Sequence, residues 1–210
     1  MVVLDVACGA AHASEPLAHA VRQVIGIDLT PTLLRIGAER LREAGVSNVL
    51  LQEGDAEALP FVDESFDVVF CRSSLHHFAD PVRAVEQMRR VCRCGGRVVL
   101  VDLIAPDTQT RELFDHIHRL LDPSHVRTFT EVELTELIPG GLAGLIYANT
   151  ATIRLPIDVA ITEQSDDNQV RSLLRAELAG TGGVTGFEPD DIDGTIIVSF
   201  TTSILHSPKP

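Results

Sequence analysis

The chain has 210 residues, 45% of them hydrophobic, which suffices for one full core, whereas two separate domains would each be small. A formal net charge of −13 argues against a sequence-independent grip on nucleic-acid phosphates, because such binding rests on clustered Lys and Arg. The longest apolar stretches run about five to seven residues against the roughly 20 that span a bilayer, and no basic segment precedes a signal-like core, so no membrane partner and a cytoplasmic location are expected.

Val2 to Val6 opens the chain as a short β-branched run with one acid, read as a buried strand, and Val24 to Asp28 is a second. Between them Ala13 to Arg22 suits a helix with Ser14 as N-cap. After Asp28 a helix is predicted with Thr30 as cap, Pro31 at the first helical position and an apolar stripe of Leu33, Leu34, Ile36, Ala38 and Leu41, ending at Gly45. "NVLLQEGD" reads as a third strand and "FDVVFC" as a fourth. Asp80-Pro81 then starts a helix through about Arg93 that stops at Gly95-Gly96, and "RVVLVDL" is the fifth strand. Strands alternating with helices imply βαβ units and a parallel sheet with helices on both faces.

The pattern changes after residue 104. Residues 107–138 read as two helices, "TQTRELFDHIHRLLD" and "TEVELTELI", around "PSHVR". A strand is predicted within 140–156, a helix over Asp166 to Ala179 and a last strand in "TIIVSFTTSIL", with at least one closing strand antiparallel. "GTGGVTGFEPDDIDG" reads as a mobile surface loop. The fold class is therefore α/β, a Rossmann-like, mostly parallel sheet of seven strands. It forms a single domain, with a cofactor-binding half over 1–104, a helical insertion over 105–140 and closing elements over 141–210.

Asp5, Asp28, Asp55 and the Cys71-Arg72 pair all fall at or just after the ends of strands one to four, where an open parallel sheet gathers its ligands. The small residues Ala7, Gly9, Ala10 and Ala11 let backbone approach a ligand closely, and Asp28 suits the two hydroxyls of a ribose. A dinucleotide site would need G-x-G-x-x-G; Ala7-Cys8-Gly9-Ala10-Ala11-His12 has one glycine of the three, which disfavours a nicotinamide-dependent oxidoreductase. Cys92-x-Cys94 lacks the second pair that a zinc site requires, so no metal is expected, and the four cysteines read as small buried hydrophobes or structural thiols.

"VLDVACGAAHAS" resembles the first motif of class I S-adenosylmethionine-dependent methyltransferases, and "VIGIDLTPTLL", "EGDAEALPF" and "FDVVFCRSSLHHFADP" match the next three in order and spacing. The similarity is closest to the ubiquinone/menaquinone-biosynthesis-like branch, which acts largely on small molecules. It implies S-adenosylmethionine as cofactor, with Asp5 reaching its methionine part through water and Ala7 and Gly9 lining the turn. Asp28 would hold the ribose, Leu29 would pack on adenine, and Asp55 with the Ala56 backbone would bond the adenine amino group. The backbone of Cys71 or Arg72 would face the methionine amine. Ala7 and Ala11 stand where the family has glycines, which implies a tighter loop or a slightly displaced cofactor. His76 and His77 follow the fourth strand, where the family often carries a His; one serves as base or substrate-positioning group, or orders the loop by a hydrogen bond. His116, His118 and His125 fall in or near the insertion that helps cover the substrate in the family, and read as core or surface residues. The Asn/Asp-Pro-Pro-Tyr loop of methyltransferases acting on DNA bases or protein side chains is replaced by "CRSSLHHF", which favours a small-molecule acceptor.

Members of the family usually carry some thirty or more residues before the first strand, and here Met1 to Leu4 precede Asp5. On that basis the expectation is cofactor binding with weak turnover, or a catalytically inactive binding protein, that self-associates through the uncovered apolar face.

Overall fold

The computed structural model describes residues 1–139, 144–145 and 147–209. The elements in chain order are β1 (Val2–Val6), α1 (Ser14–Ala18), β2 (Gln23–Asp28), α2 (Pro31–Glu43), β3 (Val49–Glu53), β4 (Phe66–Arg72), α3 (Pro81–Val91), β5 (Cys92–Leu103), α4 (Arg111–Leu121), α5 (Glu131–Glu136), β6 (Tyr147–Pro156), α6 (Asp167–Leu178), β7 (Asp190–Ile192) and β8 (Thr195–Pro208). The strands join in one mixed sheet along the path β3-β2-β1-β4-β5-β8-β6, with β7 pairing β8 antiparallel off that path. The predicted seven-stranded path is present, and the short β7 is added to it. Among the described residues no helix is long and apolar enough to cross a membrane.

Two compact units divide the chain. The first comprises Met1–Asp102, Thr135–Ala148 and Ile204–Pro210. Here β1 lies between β2 and β4, all parallel, with Asp5 opposite Gly26 on one side and Phe70 on the other. A strand hydrogen-bonded on both edges and covered on both faces favours apolar residues, and Val3, Leu4 and Val6 are buried, with Asp5 the exception among them. The chain runs outward from β1 to β3 and then returns to the other side of β1. That reversal parts the loops at the carboxyl ends of β1 and β4.

Several local expectations are corrected in this unit. Ser14 is the first residue of α1 rather than its cap, and the helix is shorter than Ala13 to Arg22. Thr30 makes no side-chain cap bond; its own N–H is held by Asp28 Oδ1 at 2.8 Å. The Leu33, Ile36 and Ala38 part of the α2 stripe is exposed, while Gly37 and Leu41 are buried. The helix makes its close approach at Gly37, where an added Cβ would sit 3.0 Å from the Ala10 carbonyl carbon. Helix α3, capped by Asp80 Oδ1 on the Arg83 N–H, ends at Val91 instead of reaching Arg93. Strand β5 already includes Gly95 and Gly96, because these two exchange backbone bonds of 2.9 and 3.0 Å with Lys209.

The second unit comprises Leu103–Leu134 and Asn149–Ser203. The two predicted helices are α4 and α5. α5 starts with a capping box: Thr130 donates its N–H to Glu133 Oε2 at 2.9 Å, and the Glu133 N–H returns to Thr130 Oγ1. Phe114, Ile117 and Leu121 of α4, Val170 and Leu174 of α6, and Ile196 and Val198 of β8 form one buried cluster. The strand predicted within 140–156 is β6; residues 140–143 and 146 lie outside the described residues.

The segment 180–194 is the main correction. Instead of a loop free at the surface, it buries Phe187 completely, with its ring stacked on Phe114 at 4.6 Å, and Ser199 N–H donates to the Phe187 carbonyl at 2.7 Å. Its end is a hairpin, β7 to β8, turned by Asp193 and Gly194, both in the left-handed region that a two-residue Asp-Gly turn requires. Removing the buried ring by Phe187→Ala should lower unfolding free energy by about 3–5 kcal/mol, whereas Val184→Ala, 63% exposed in the same segment, should change it by less than about 0.5 kcal/mol. Chemical denaturation of the two variants checks this, and equal small effects would show that the segment is not anchored.

Candidate functional site at the strand ends

The turn after β1 is built from a backbone that L-residues rarely adopt. Ala7, Gly9 and Ala11 have φ of 54°, 51° and 61°. Left-handed alanine costs roughly 1–2 kcal/mol relative to a helical one, so surrounding bonds must hold the turn. They do: Cys8 N–H donates to the Ile27 carbonyl at 3.0 Å, Ala11 N–H to the Cys8 carbonyl at 2.9 Å, and Gly9 N–H to Asp28 Oδ2 at 2.8 Å. Asp28 thus receives Gly9 N–H on one oxygen and Thr30 N–H on the other, which ties the turns after β1 and β2 together. Its backbone carbonyl accepts Gly54 N–H at 3.0 Å and brings in the segment after β3.

Asp5 lies deeper. It is 2% exposed, and its Oδ2 accepts Ser14 Oγ–H at 2.5 Å. Burial pushes its carboxyl up to about 6, with Asp28 adding in the same direction, against the Ser14 hydrogen bond and the Arg72 charge, which favour the ionised form. Asp55 is exposed and caps a single 3-10 turn over Ala56–Ala58, its Oδ1 accepting Glu57 N–H at 2.8 Å; Ala56 is half-buried beside it. Leu29 is 68% exposed, an apolar side chain directly after Asp28. Cys71 is fully buried at the end of β4 opposite Val6, whereas Arg72 is exposed. The expected residues therefore all belong to the first unit, at the carboxyl ends of neighbouring strands β1 to β4.

The segment after β4 holds His76 and His77. His76 is buried and its Nδ1 meets Asp102 Oδ1; His77 is half-buried, with its ring centroid 4.1 Å from that of His76. Ser74 Oγ shares its one proton between the Arg72 carbonyl at 3.0 Å and the Ala7 carbonyl at 3.3 Å, the second joining this segment to the turn after β1. Sequence reasoning missed Ser14, Ser74 and Asp102. The signal for Asp102 was present: like Asp5 and Asp28, it is an acid at the end of an apolar strand. Of the other two, nothing local distinguishes them from ordinary turn serines.

The chain is similar to known methyltransferases. A methyltransferase-domain family profile matches residues 4–100. The chain is 44% identical over 126 residues to the uncharacterized methyltransferase YcgJ of Bacillus subtilis, covering 60% of this chain and 50% of that protein, so the match spans half of that relative's length. It is 33% identical over 142 residues to the uncharacterized protein YafE of Escherichia coli, covering 67% and 68% of the two chains. A demethylmenaquinone methyltransferase of Bacillus velezensis is 36% identical over 107 residues, covering 50% of this chain and 46% of that one. The crystal structure of YcgJ superposes on 99% of this chain and 91% of its own with a TM-score of 0.83, at 28% identity.

The raised carboxyl of Asp5 has a thermodynamic consequence. Between about pH 4 and pH 6 the folded chain keeps a proton that an unfolded aspartate releases, so the stability linked to this group is greatest below about pH 4 and is lost as pH rises to about 6. Asp5→Asn keeps an acceptor for Ser14 and removes the penalty. The variant should gain roughly 1–3 kcal/mol over the parent near pH 7.5 and almost nothing near pH 4. Denaturant unfolding of both at the two pH values checks it, and a gain independent of pH would be the contrary result.

Proposed function

The chain belongs to the class I S-adenosylmethionine-dependent methyltransferase family, and from that premise we propose that it transfers a methyl group from S-adenosylmethionine to a small-molecule acceptor. The observation that carries the reading is the Asp28 carboxylate at the end of β2, fixed by the Gly9 and Thr30 N–H groups. An ionised carboxylate has about four acceptor positions, so two remain for the vicinal hydroxyls of a ribose. The residues fit a nucleoside in two further respects. Leu29 and Leu33 offer exposed apolar surface beside Asp28, and Gly9 leaves its backbone open, since an added Cβ there would meet nothing nearer than Leu33 Cδ1 at 4.0 Å.

In this reading Asp28 holds the ribose, Leu29 lies against adenine, and Asp55 with the Ala56 backbone receives the adenine amino group. Asp5, Ala7, Gly9 and the Cys71 and Arg72 backbone face the methionine part. When bound, the cofactor would supply an electrophilic methyl on a sulfonium, able to pass to an in-line acceptor atom with the neutral thioether as leaving group, its sulfur keeping the pair of the broken C–S bond. The chain's own contribution is orientation, the exclusion of water, and a proton acceptor where the nucleophile must lose a proton. His76 and His77 are the groups assigned to that last role or to placing the acceptor. The absence of an Asn/Asp-Pro-Pro-Tyr loop after β4 and the similarity to a demethylmenaquinone methyltransferase support a small acceptor. Four free thiols support a cytoplasmic location.

Labelled methyl from S-adenosylmethionine should appear in the low-mass fraction of a cell extract incubated with the chain. Label in protein or nucleic acid instead would overturn the choice of acceptor. Replacing the carboxylate that bonds the ribose, Asp28→Ala, should weaken S-adenosylhomocysteine binding by about 1.5–3 kcal/mol, roughly 10- to 150-fold. Calorimetry showing unchanged affinity in a folded variant would remove Asp28 from the cofactor site.

A further inference from the structure

Strand β5 carries an ionisable side chain where its neighbours are apolar. Val98 and Leu100, on the same face of the strand by two-residue alternation, are fully buried, and so is Asp102. A buried carboxylate costs several kcal/mol unless donors surround it. Three converge here: Ser74 N–H at 3.1 Å and Leu75 N–H at 2.6 Å on Oδ2, and His76 Nδ1 on Oδ1. The backbone has turned to deliver those groups. Ser73 sits at φ 52° and gives its N–H to the Val101 carbonyl at 2.7 Å. From Ser74 the connection continues through Oγ to the Ala7 carbonyl, hence to the turn that Asp28 holds.

We propose that Asp102 is a positioning residue for the methyl-transfer site: it fixes His76 in the Nδ1–H form, and it ties the segment after β4 to the turn after β1. The proposal rests on the cofactor reading above for its second part only. A neutral imidazole has one N–H and one lone pair. Donation from Nδ1 to a carboxylate puts the lone pair on Nε2, the arrangement by which a carboxylate orients a histidine that must accept a proton or a hydrogen bond. The ring of His77, 4.1 Å away, packs on a ring whose orientation Asp102 sets. The two jobs fall to different atoms of one carboxylate, Oδ1 for the ring and Oδ2 for the backbone, so they can be separated by substitution.

Asp102→Asn is nearly isosteric. Its carbonyl can still accept the Ser74 and Leu75 N–H groups, but its amide would present a donor to Nδ1 and drive the ring proton to Nε2. Asp102→Ala removes both functions. Long-range nitrogen–proton NMR of ring-labelled chain, with the His76 signal assigned by its loss in His76→Gln, should show the Nδ1–H form in the parent and the Nε2–H form in Asp102→Asn. Titration with S-adenosylhomocysteine should give affinity within about threefold of the parent for Asp102→Asn and a loss of about tenfold or more for Asp102→Ala. The parent measurement stands even if a variant does not fold: His76 in the Nε2–H form there overturns the proposal. So does an unchanged ring in Asp102→Asn, or an equal loss of affinity in both variants. A parent that shows the Nδ1–H ring and its inversion, yet binds no S-adenosylhomocysteine, supports the role of Asp102 toward His76 and counts against the cofactor reading instead.

Discussion

The geometry of the strand-end region depends on one carboxylate receiving two backbone N–H groups from different turns. Asp28 takes Gly9 N–H and Thr30 N–H at 2.8 Å each, and so joins the turn after β1 to the start of α2. The turn needs that hold because two of its left-handed positions are alanines, which resist the conformation that glycine accepts without penalty. A bond from a charged acceptor contributes more than a neutral one, and Asp28 supplies two, enough to offset strain of this size.

The same device recurs along the carboxyl ends of the sheet with different electrical surroundings. Asp5 meets a single hydroxyl, and burial pushes its carboxyl up to about 6. Asp102 is as deeply buried but meets two N–H groups and an imidazole. Asp55, at the surface, needs only its own turn. Parallel strands point all their carboxyl ends one way, so short acids placed there organise the loops collectively. A ligand entering among those loops meets backbone already fixed, which lowers the entropy lost on binding. The carboxylates of this region are thus architectural.

In the second unit, where none of these acids lies, order is held by aromatic packing. Phe114, Phe187, Phe200 and His118 are in mutual ring contact, with centroids 4.5 to 6.0 Å apart for the pairs among them that touch. His125 stacks on His118 and bonds Asp115, which also accepts Thr128 N–H at 2.8 Å. The histidines in and beside the helical insertion divide accordingly: His118 and His125 belong to this buried packing, and His116 lies on the more open side of α4.

The amino-acid sequence by itself determined the order of strands and helices in the first hundred residues, the parallel sheet, and the strand-end positions of Asp5, Asp28, Asp55 and Cys71-Arg72. Those follow from short-range causes, apolar periodicity and proline at a helix start, and from the rule that an open parallel sheet gathers ligands at the carboxyl ends of its strands. What only the tertiary structure decided involves partners distant in the chain. The acceptor for Gly9 N–H is the side chain of Asp28 on the next strand, and Ser14 serves Asp5 instead of capping a helix, because strand and helix are brought together by the sheet. The exposure of Leu33 and Ile36 follows from the close contact of Gly37 with Ala10, which the helical period alone does not contain. Phe187 sits in a glycine-rich, acidic stretch whose local composition reads as solvent-exposed, and only packing against Phe114 gives that ring a buried place. Asp102 is the same case at the site: its strand-end position is written in the chain, but its pairing with His76 and with two N–H groups of the β4 segment exists only once β5 is laid beside β4.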